Sequence, residues 1–258
     1  GISACRMPTG QISGVTYTHA QRTQFFLFGD SITQYASKSG GWGAHLADAY
    51  TATFRSADIV NRGFAGYNTR WALLVLPQLI AQLGGPPPAV ATIFFGANDA
   101  CREGARQHIP LDEYDENLCK IVSTMREAWS DVKIILIAPP PIDAEKWDAK
   151  RGGPGMGERT QDQVQQYAKR CKEVAARVRC PCVDAYSAFL EDKEWKEHLD
   201  DGLHFSASGN SKLAALLSKA IEEEWAGLTP TGLPAHMPVN ADLTPGNYKS
   251  LLDPRSDA

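Results

Sequence analysis

The sequence predicts an α/β fold, a three-layer α/β/α sandwich on a five-stranded parallel sheet, and three observations carry that expectation. Five short apolar runs show little of the alternation expected of a half-exposed strand. Segments of helical period separate them. Clusters of small and polar residues follow the first three runs, and a fourth precedes the last helical segment. A parallel strand is covered on both faces by its crossover helices, so it reads as a continuous apolar run. Strands that alternate with helices imply βαβ units with right-handed crossovers.

In chain order, the strands are expected at 24–28 (QFFLF), 57–61 (ADIVN), 90–95 (VATIFF), 132–138 (VKIILIA) and 182–184, the last short. The helix at 42–52 places Trp42, Leu46 and Ala49 on one face. That at 70–83 repeats Leu73, Leu76, Ile80 and Leu83. At 111–129 the stripe is Tyr114, Leu118, Ile121, Val122, Met125 and Trp129, the three-to-four spacing of an amphipathic helix. Helices at 161–178 and 208–225 complete the set, the last stopping near Gly227. The stretch 139–159 (PPPIDAEKWDAKRGGPGMGER) is too long and too rich in Pro and Gly for an ordinary connection, and is expected to form a lid or substrate loop. The reading therefore divides the chain into a polar extension (1–22), one domain (23–227) and a proline-rich tail (228–258) packed on the domain or partly loose.

Composition narrows the function. At 258 residues the chain buries a deep core without a metal or disulfide staple. A net charge of −4 gives no reason to expect nucleic acid. No apolar run approaches the roughly 20 residues of a membrane span, and the first twenty residues lack the apolar centre of a secretory signal. The six cysteines (5, 101, 119, 171, 180 and 182) have no framework spacing. They are expected to be free, mostly buried thiols in a reducing compartment, which suits a cytoplasmic protein. No metal site is expected, and a homo-oligomer is left open.

In an open parallel sheet, ligands bind beyond the carboxyl ends of the strands. There the sequence places Gly29-Asp30-Ser31-Ile32-Thr33, then Asn61-Arg62-Gly63-Phe64-Ala65-Gly66-Tyr67-Asn68-Thr69, then Gly96-Ala97-Asn98-Asp99, and finally Asp201-Gly202-Leu203-His204-Phe205-Ser206. A serine hydroxyl is a weak nucleophile until a neighbouring base takes its proton. Ser31 follows directly on a strand and opens a helical turn, whose dipole is expected to favour negative charge; alone, Asp30 and Ser31 also read as an ordinary helix cap. Of the six histidines, His204 is singled out because Asp201 lies three residues before it, within reach of Nδ1. Asp200 remains an alternative acid. His45 and His108 have no such pairing, His198 precedes the turn, and His19 and His236 lie in the terminal segments. Gly66 leaves its N–H open to approach, and Asn98 can aim a side-chain amide. With the Ser31 N–H they would supply three donors to an oxyanion, although a tight turn at Gly66 and a turn residue at Asn98 explain each equally well alone.

FGDSIT, NRGFAGYNT, GAND and DGLHFS, in this order, resemble the signature blocks of the SGNH (GDSL) hydrolases, whose fold is flavodoxin-like. The longer stretches NRGFAGYNTRWAL, ATIFFGANDAC and DGLHFSASG are similar to the isoamyl acetate-hydrolysing esterases, over about residues 25–225. The resemblance implies a serine esterase with no cofactor. It implies Ser31, Asp201 and His204 as the triad, Ser31, Gly66 and Asn98 as the oxyanion hole, and short-chain esters of small alcohols, acetate esters among them, as substrates. Phe64, Tyr67, Trp147 and Phe205 are candidates for an apolar pocket wall, or ordinary core. Asp30, Asn61, Gly63 and Asp99 are taken as structural. The competing readings are a carbohydrate deacetylase, thioesterase or acyltransferase using the same residues, and a non-catalytic binding module. The absence of G-x-S-x-G argues against the α/β-hydrolase fold.

Overall fold

Phe25, Phe26, Leu27 and Phe28 are all buried, because the strand that carries them runs through the middle of the sheet. The structure is a computed structural model that describes residues 10–11, 16–17, 21–52 and 57–253. Its parallel strands are β1 (Thr23–Gly29), β2 (Ala57–Gly63), β3 (Val90–Phe94), β4 (Lys133–Ile137) and β5 (Cys182–Val183), in the order β2-β1-β3-β4-β5. Phe25 pairs with Ile59 on one side and Val90 on the other. The chain reverses its direction of travel across the sheet between β1 and β3, which opens a crevice at their carboxyl ends.

The helices are α1 (Ser31–Gln34), α2 (Trp42–Thr51), α3 (Thr69–Gln82), α4 (Leu111–Ala128), α5 (Ala144–Arg151), α6 (Gln161–Arg177), α7 (Ala185–Leu190), α8 (Ala207–Glu224) and α9 (Tyr248–Leu252). α2 packs with α8, while α3, α4 and α6 form a second group, so the sheet has helices on both sides. The apolar stripes expected on α2, α3 and α4 supply Leu46, Leu76, Leu118, Ile121 and Met125 to the core. Edge-on contacts of Phe25 with Tyr50 and of Phe26 with Trp129 tie helices or their ends to β1.

The segment 139–159, expected as a lid or substrate loop, contains α5. The Asp143 carboxylate accepts from the Lys146 N–H at the start, and Gly152 ends the helix in the left-handed region. Asp148 then accepts from the Gly155 and Gly157 amides at 2.6 and 2.7 Å. Only Trp147 of the helix is buried, so no apolar repeat announced it. Beyond residue 228, Leu233, Ala235 and Val239 are buried, and Tyr50 donates to the Leu228 carbonyl at 2.6 Å. At the other end, Gly10–Gln11 and Thr16–Tyr17 form a short antiparallel pair; most of the polar extension, with Cys5 and His19, lies outside the described residues. No helix among the described residues is long and apolar enough to cross a membrane.

Candidate active site

β1 delivers Ser31. The strand ends at Gly29, the Asp30 carboxylate caps the next turn by accepting the Ile32 N–H at 2.9 Å, and Ser31 is the first residue of α1. This helix is one turn long and passes into a 3-10 turn at Tyr35–Ser37. The dipole expected behind Ser31 is therefore that of a single turn. Asn61 braces the same turn from β2, donating to the Thr33 carbonyl and to Ser37 Oγ while accepting the Gly63 N–H.

His204 comes from the turn before α8, 173 residues further along the chain. An isolated antiparallel bridge between Leu199 and Phe205 pinches the turn at its base. Inside it, Asp201 Oδ1 accepts the N–H groups of Leu203 and His204 at 3.0 and 2.8 Å. Gly202, at φ +94°, lies so close to α5 that a Cβ would sit 2.5 Å from the Asp143 carbonyl. The second carboxylate oxygen of Asp201 is 2.8 Å from His204 Nδ1, and Nε2 is 2.8 Å from Ser31 Oγ. Burial alone would raise the Asp201 carboxyl, but bonds from the His204 ring and the two backbone amides outweigh it and hold it at about 2. An ionised carboxylate only accepts, so Nδ1 carries a hydrogen, and in the neutral imidazole Nε2 is then the nitrogen that presents a lone pair to the serine hydroxyl. Asp200 is exposed and engages His204 through its own backbone N–H, which donates to the His204 carbonyl. The acid in contact with the imidazole is Asp201.

The segment 139–159 supports this turn. The Asp143 N–H donates to the Gly202 carbonyl at 2.9 Å, and Lys146 Nζ to the Leu199 carbonyl at 2.8 Å. Trp147 stands edge-on to the His204 ring at 5.7 Å, and Tyr35 tilts against that ring at 5.2 Å.

In the loop after β2, Gly66 adopts φ +80°, which a residue with a Cβ would occupy only with strain. The buried Asn98 donates from Nδ2 to the Tyr67 carbonyl at 2.8 Å. Gln107 Nε2 donates to the Gly66 carbonyl at 2.7 Å and to Asn98 Oδ1 at 3.0 Å. Arg159 Nη2 reaches the same Asn98 oxygen at 2.9 Å. Asp99 turns the other way and accepts from the N–H and hydroxyl of Thr69 at the start of α3. Burial pushes the Asp99 carboxyl up to about 6 and that of Asp30 to about 7.

The four candidate pocket aromatics lie apart. Phe64 and Tyr67 pack on each other at 5.1 Å beside Gly66, Trp147 lies against His204, and Phe205 is buried between Phe94 and Phe189. A cleft of about 360 Å³ opens beside His204, and Phe205 is the only one of the four that lines it. Its other walls include Tyr35, Lys38, Ser39, Asp200, Ser206 and Asn210. His198 is held by Asp192 and Ser208, and His108 by the Cys101 carbonyl. Among the described residues, no group of three His, Cys, Asp or Glu side chains is placed to hold a metal ion. Tyr35, Gln107, Asp143 and Arg159 were not singled out from sequence. Tyr35, Asp143 and Arg159 act on His204, Gly202 and Asn98 across more than fifty residues of chain, where spacing gives no signal, and Gln107 reaches Asn98 from nine residues away with no motif to mark it.

Residues 27–212 match the family described as GDSL-like lipase/acylhydrolase. The chain belongs to that family and is a carboxylic ester hydrolase. A GDSL esterase/lipase of Arabidopsis thaliana is 42% identical over 242 residues, covering 90% of this chain and 98% of its own length. The isoamyl acetate-hydrolyzing esterase of Saccharomyces cerevisiae is 34% identical over 247 residues, 91% of this chain and 97% of its own. Among solved structures, the lipase/acylhydrolase from Enterococcus faecalis superposes with a TM-score of 0.61 at 31% identity, over 78% of this chain and 96% of that one.

Proposed function

We propose that this hydrolase cleaves short-chain carboxylic esters, acetate esters of small alcohols foremost, through an acyl-enzyme on Ser31. The observation that carries the reading is the unbroken run of two 2.8 Å contacts from Ser31 Oγ through the His204 ring to Asp201. Ser31 Oγ attacks the ester carbonyl while Nε2 of His204 takes the hydroxyl proton, and Asp201 holds the ring and stabilises the imidazolium. The tetrahedral oxyanion is met by the N–H groups of Ser31 and Gly66 and by Asn98 Nδ2, whose second hydrogen is not used by Tyr67. His204 returns its proton to the departing alkoxide, which leaves as the alcohol. Water then attacks the acyl group by the same route and releases the acid and free Ser31.

A second reading, in which the leaving alcohol is a sugar, is favoured by the polar walls of the cleft beside His204, where Lys38, Ser39 and Asp200 offer partners for hydroxyl groups. Acetyl, butyryl and octanoyl esters of simple alcohols, assayed beside acetylated sugars and acyl thioesters, separate the readings. The first expects the highest kcat/KM on the acetyl ester of a small alcohol and no acyl-enzyme with Ser31→Ala. A preference for the acetylated sugar would replace it with the second. The substrate in this proposal is a small molecule taken up without a partner protein, and self-association is open to measurement by sedimentation. The five free cysteines among the described residues support a reducing compartment such as the cytoplasm.

A further inference from the structure

Arg159 is 7% exposed, and its acceptors are all neutral oxygens. Nε donates to the Ala97 carbonyl at 2.7 Å, and Nη1 to the Gly157 carbonyl at 2.9 Å. Nη2 donates to Asn98 Oδ1 at 2.9 Å and to Gln107 Oε1 at 3.2 Å. Among the described residues it has no ion pair. A buried guanidinium without a carboxylate is costly. If Arg159 served only to join two backbone carbonyls, a neutral donor would do the same at less expense. The charge is kept where the guanidinium lies 5.7 Å from the Trp147 ring and bonds the side-chain oxygen of Asn98.

We propose that Arg159 is a positioning residue for ester hydrolysis, acting through Asn98 with Gln107 as its companion. This rests on the assignment of Asn98 as an oxyanion donor. Two effects follow from the geometry. The first is orientation. An asparagine amide is nearly symmetric in shape, and its flipped form would set NH₂ against the donors of Arg159 and Gln107 and set oxygen against the Tyr67 carbonyl. The two donors on Oδ1 therefore fix Nδ2 on the side where one hydrogen meets Tyr67 and the other is free for substrate. The second is polarisation. A hydrogen bond from a cation to an amide oxygen draws electron density from the nitrogen, so the N–H becomes a stronger donor to developing negative charge. Gln107 locks the register further, because the same amide group also holds the Gly66 carbonyl.

The arrangement gives the segment 139–159 a second task. Through Trp147 it supports His204, and through Arg159 it orients Asn98, so one stretch of chain sets both the base and the proposed oxyanion donor.

The test is a double-mutant cycle on an acetate ester, with active sites counted by fluorophosphonate titration. Asn98→Ala lowers kcat roughly 100-fold or more. Arg159→Met lowers kcat about 10- to 30-fold with little change in KM, yet costs less than about 3-fold further in the Asn98→Ala background, since its effect passes through Asn98. Added methylguanidinium restores part of the activity of Arg159→Ala only where Asn98 is present. Should Arg159→Met fail to fold, Arg159→Gln, which keeps a neutral donor for the carbonyl groups but removes the cation, takes its place in the cycle with the same expected pattern. A loss by the same factor in both backgrounds, or no loss from Arg159→Met, overturns the positioning role. Normal turnover by Asn98→Ala overturns instead the oxyanion assignment on which it rests.

Discussion

On one side of Ser31, Asp201 and His204 meet across three residues of a single turn, which also supplies the two amides that hold the carboxylate. In the loop after β3, Asn98, the proposed oxyanion donor, is held by Gln107 from the same strand-end loop and by Arg159 from a segment 61 residues away. The first half is local and electrostatically strong: a carboxyl ordinarily near 3.8 is held at about 2. The second is long-range and depends on how the loops pack. The two halves should therefore fail differently. Damage to the turn removes chemistry, whereas damage to the long-range network loosens a donor that remains present.

The largest expected effect lies in the turn. Asp201→Asn keeps the shape but turns an acceptor-only group into one that can donate to Nδ1, which favours the tautomer with its proton facing Ser31. A fall in kcat on the order of 10⁴-fold is expected, with the folded structure retained by circular dichroism. The effect of Asn98→Ala is expected to be about a hundredfold smaller than that. Equal losses from the two variants would erase the distinction between the halves.

The smallest effect concerns stability. Asp201 binds fewer protons folded than unfolded between about pH 2 and 4, so its contribution is complete above the unfolded value and is lost as pH falls through about 2. Asp30 and Asp99 act in the opposite sense. Their carboxyls are pushed up to about 7 and 6 by burial, so each retains its proton in the folded chain where the unfolded chain has released it. Their contribution is present below about pH 4 and is lost as pH rises through 6 to 7. The expected result is a Tm that falls by a few °C between pH 5 and 8. Asp99→Asn should flatten that slope in calorimetric scans, while an unchanged slope would mean that Asp99 ionises without cost.

The same contrast explains what could be read from the chain. The runs at β1, β3 and β4 were legible because both faces of each strand are buried, and the stripe on α4 because one face is. On α3 the buried apolar residues are Ala72, Leu76 and Leu79, so that of the expected Leu73, Leu76, Ile80 and Leu83 only Leu76 is fully buried. The Asp201–His204 pair was legible because its partners are three residues apart. The α5 helix was not, since Trp147 is its one buried residue and glycines crowd its end. Arg159 was not, since a lone arginine before the Thr160 cap of α6 carries no pattern. Its role arises only when β3, the Gln107 loop and the segment after α5 converge. The aromatic residues near the motifs suggested one apolar wall, but packing distributes them among the core, the Gly66 loop and His204.

A structure of the enzyme after reaction with a short alkyl fluorophosphonate would probe both halves at once. Phosphorus is expected on Ser31 Oγ, with the phosphoryl oxygen about 2.7–3.1 Å from the Ser31 and Gly66 amides and from Asn98 Nδ2. His204 Nε2 should face the site of the departed group. An adduct on any other residue, or a phosphoryl oxygen turned away from Asn98 and Gly66, would contradict the mechanism.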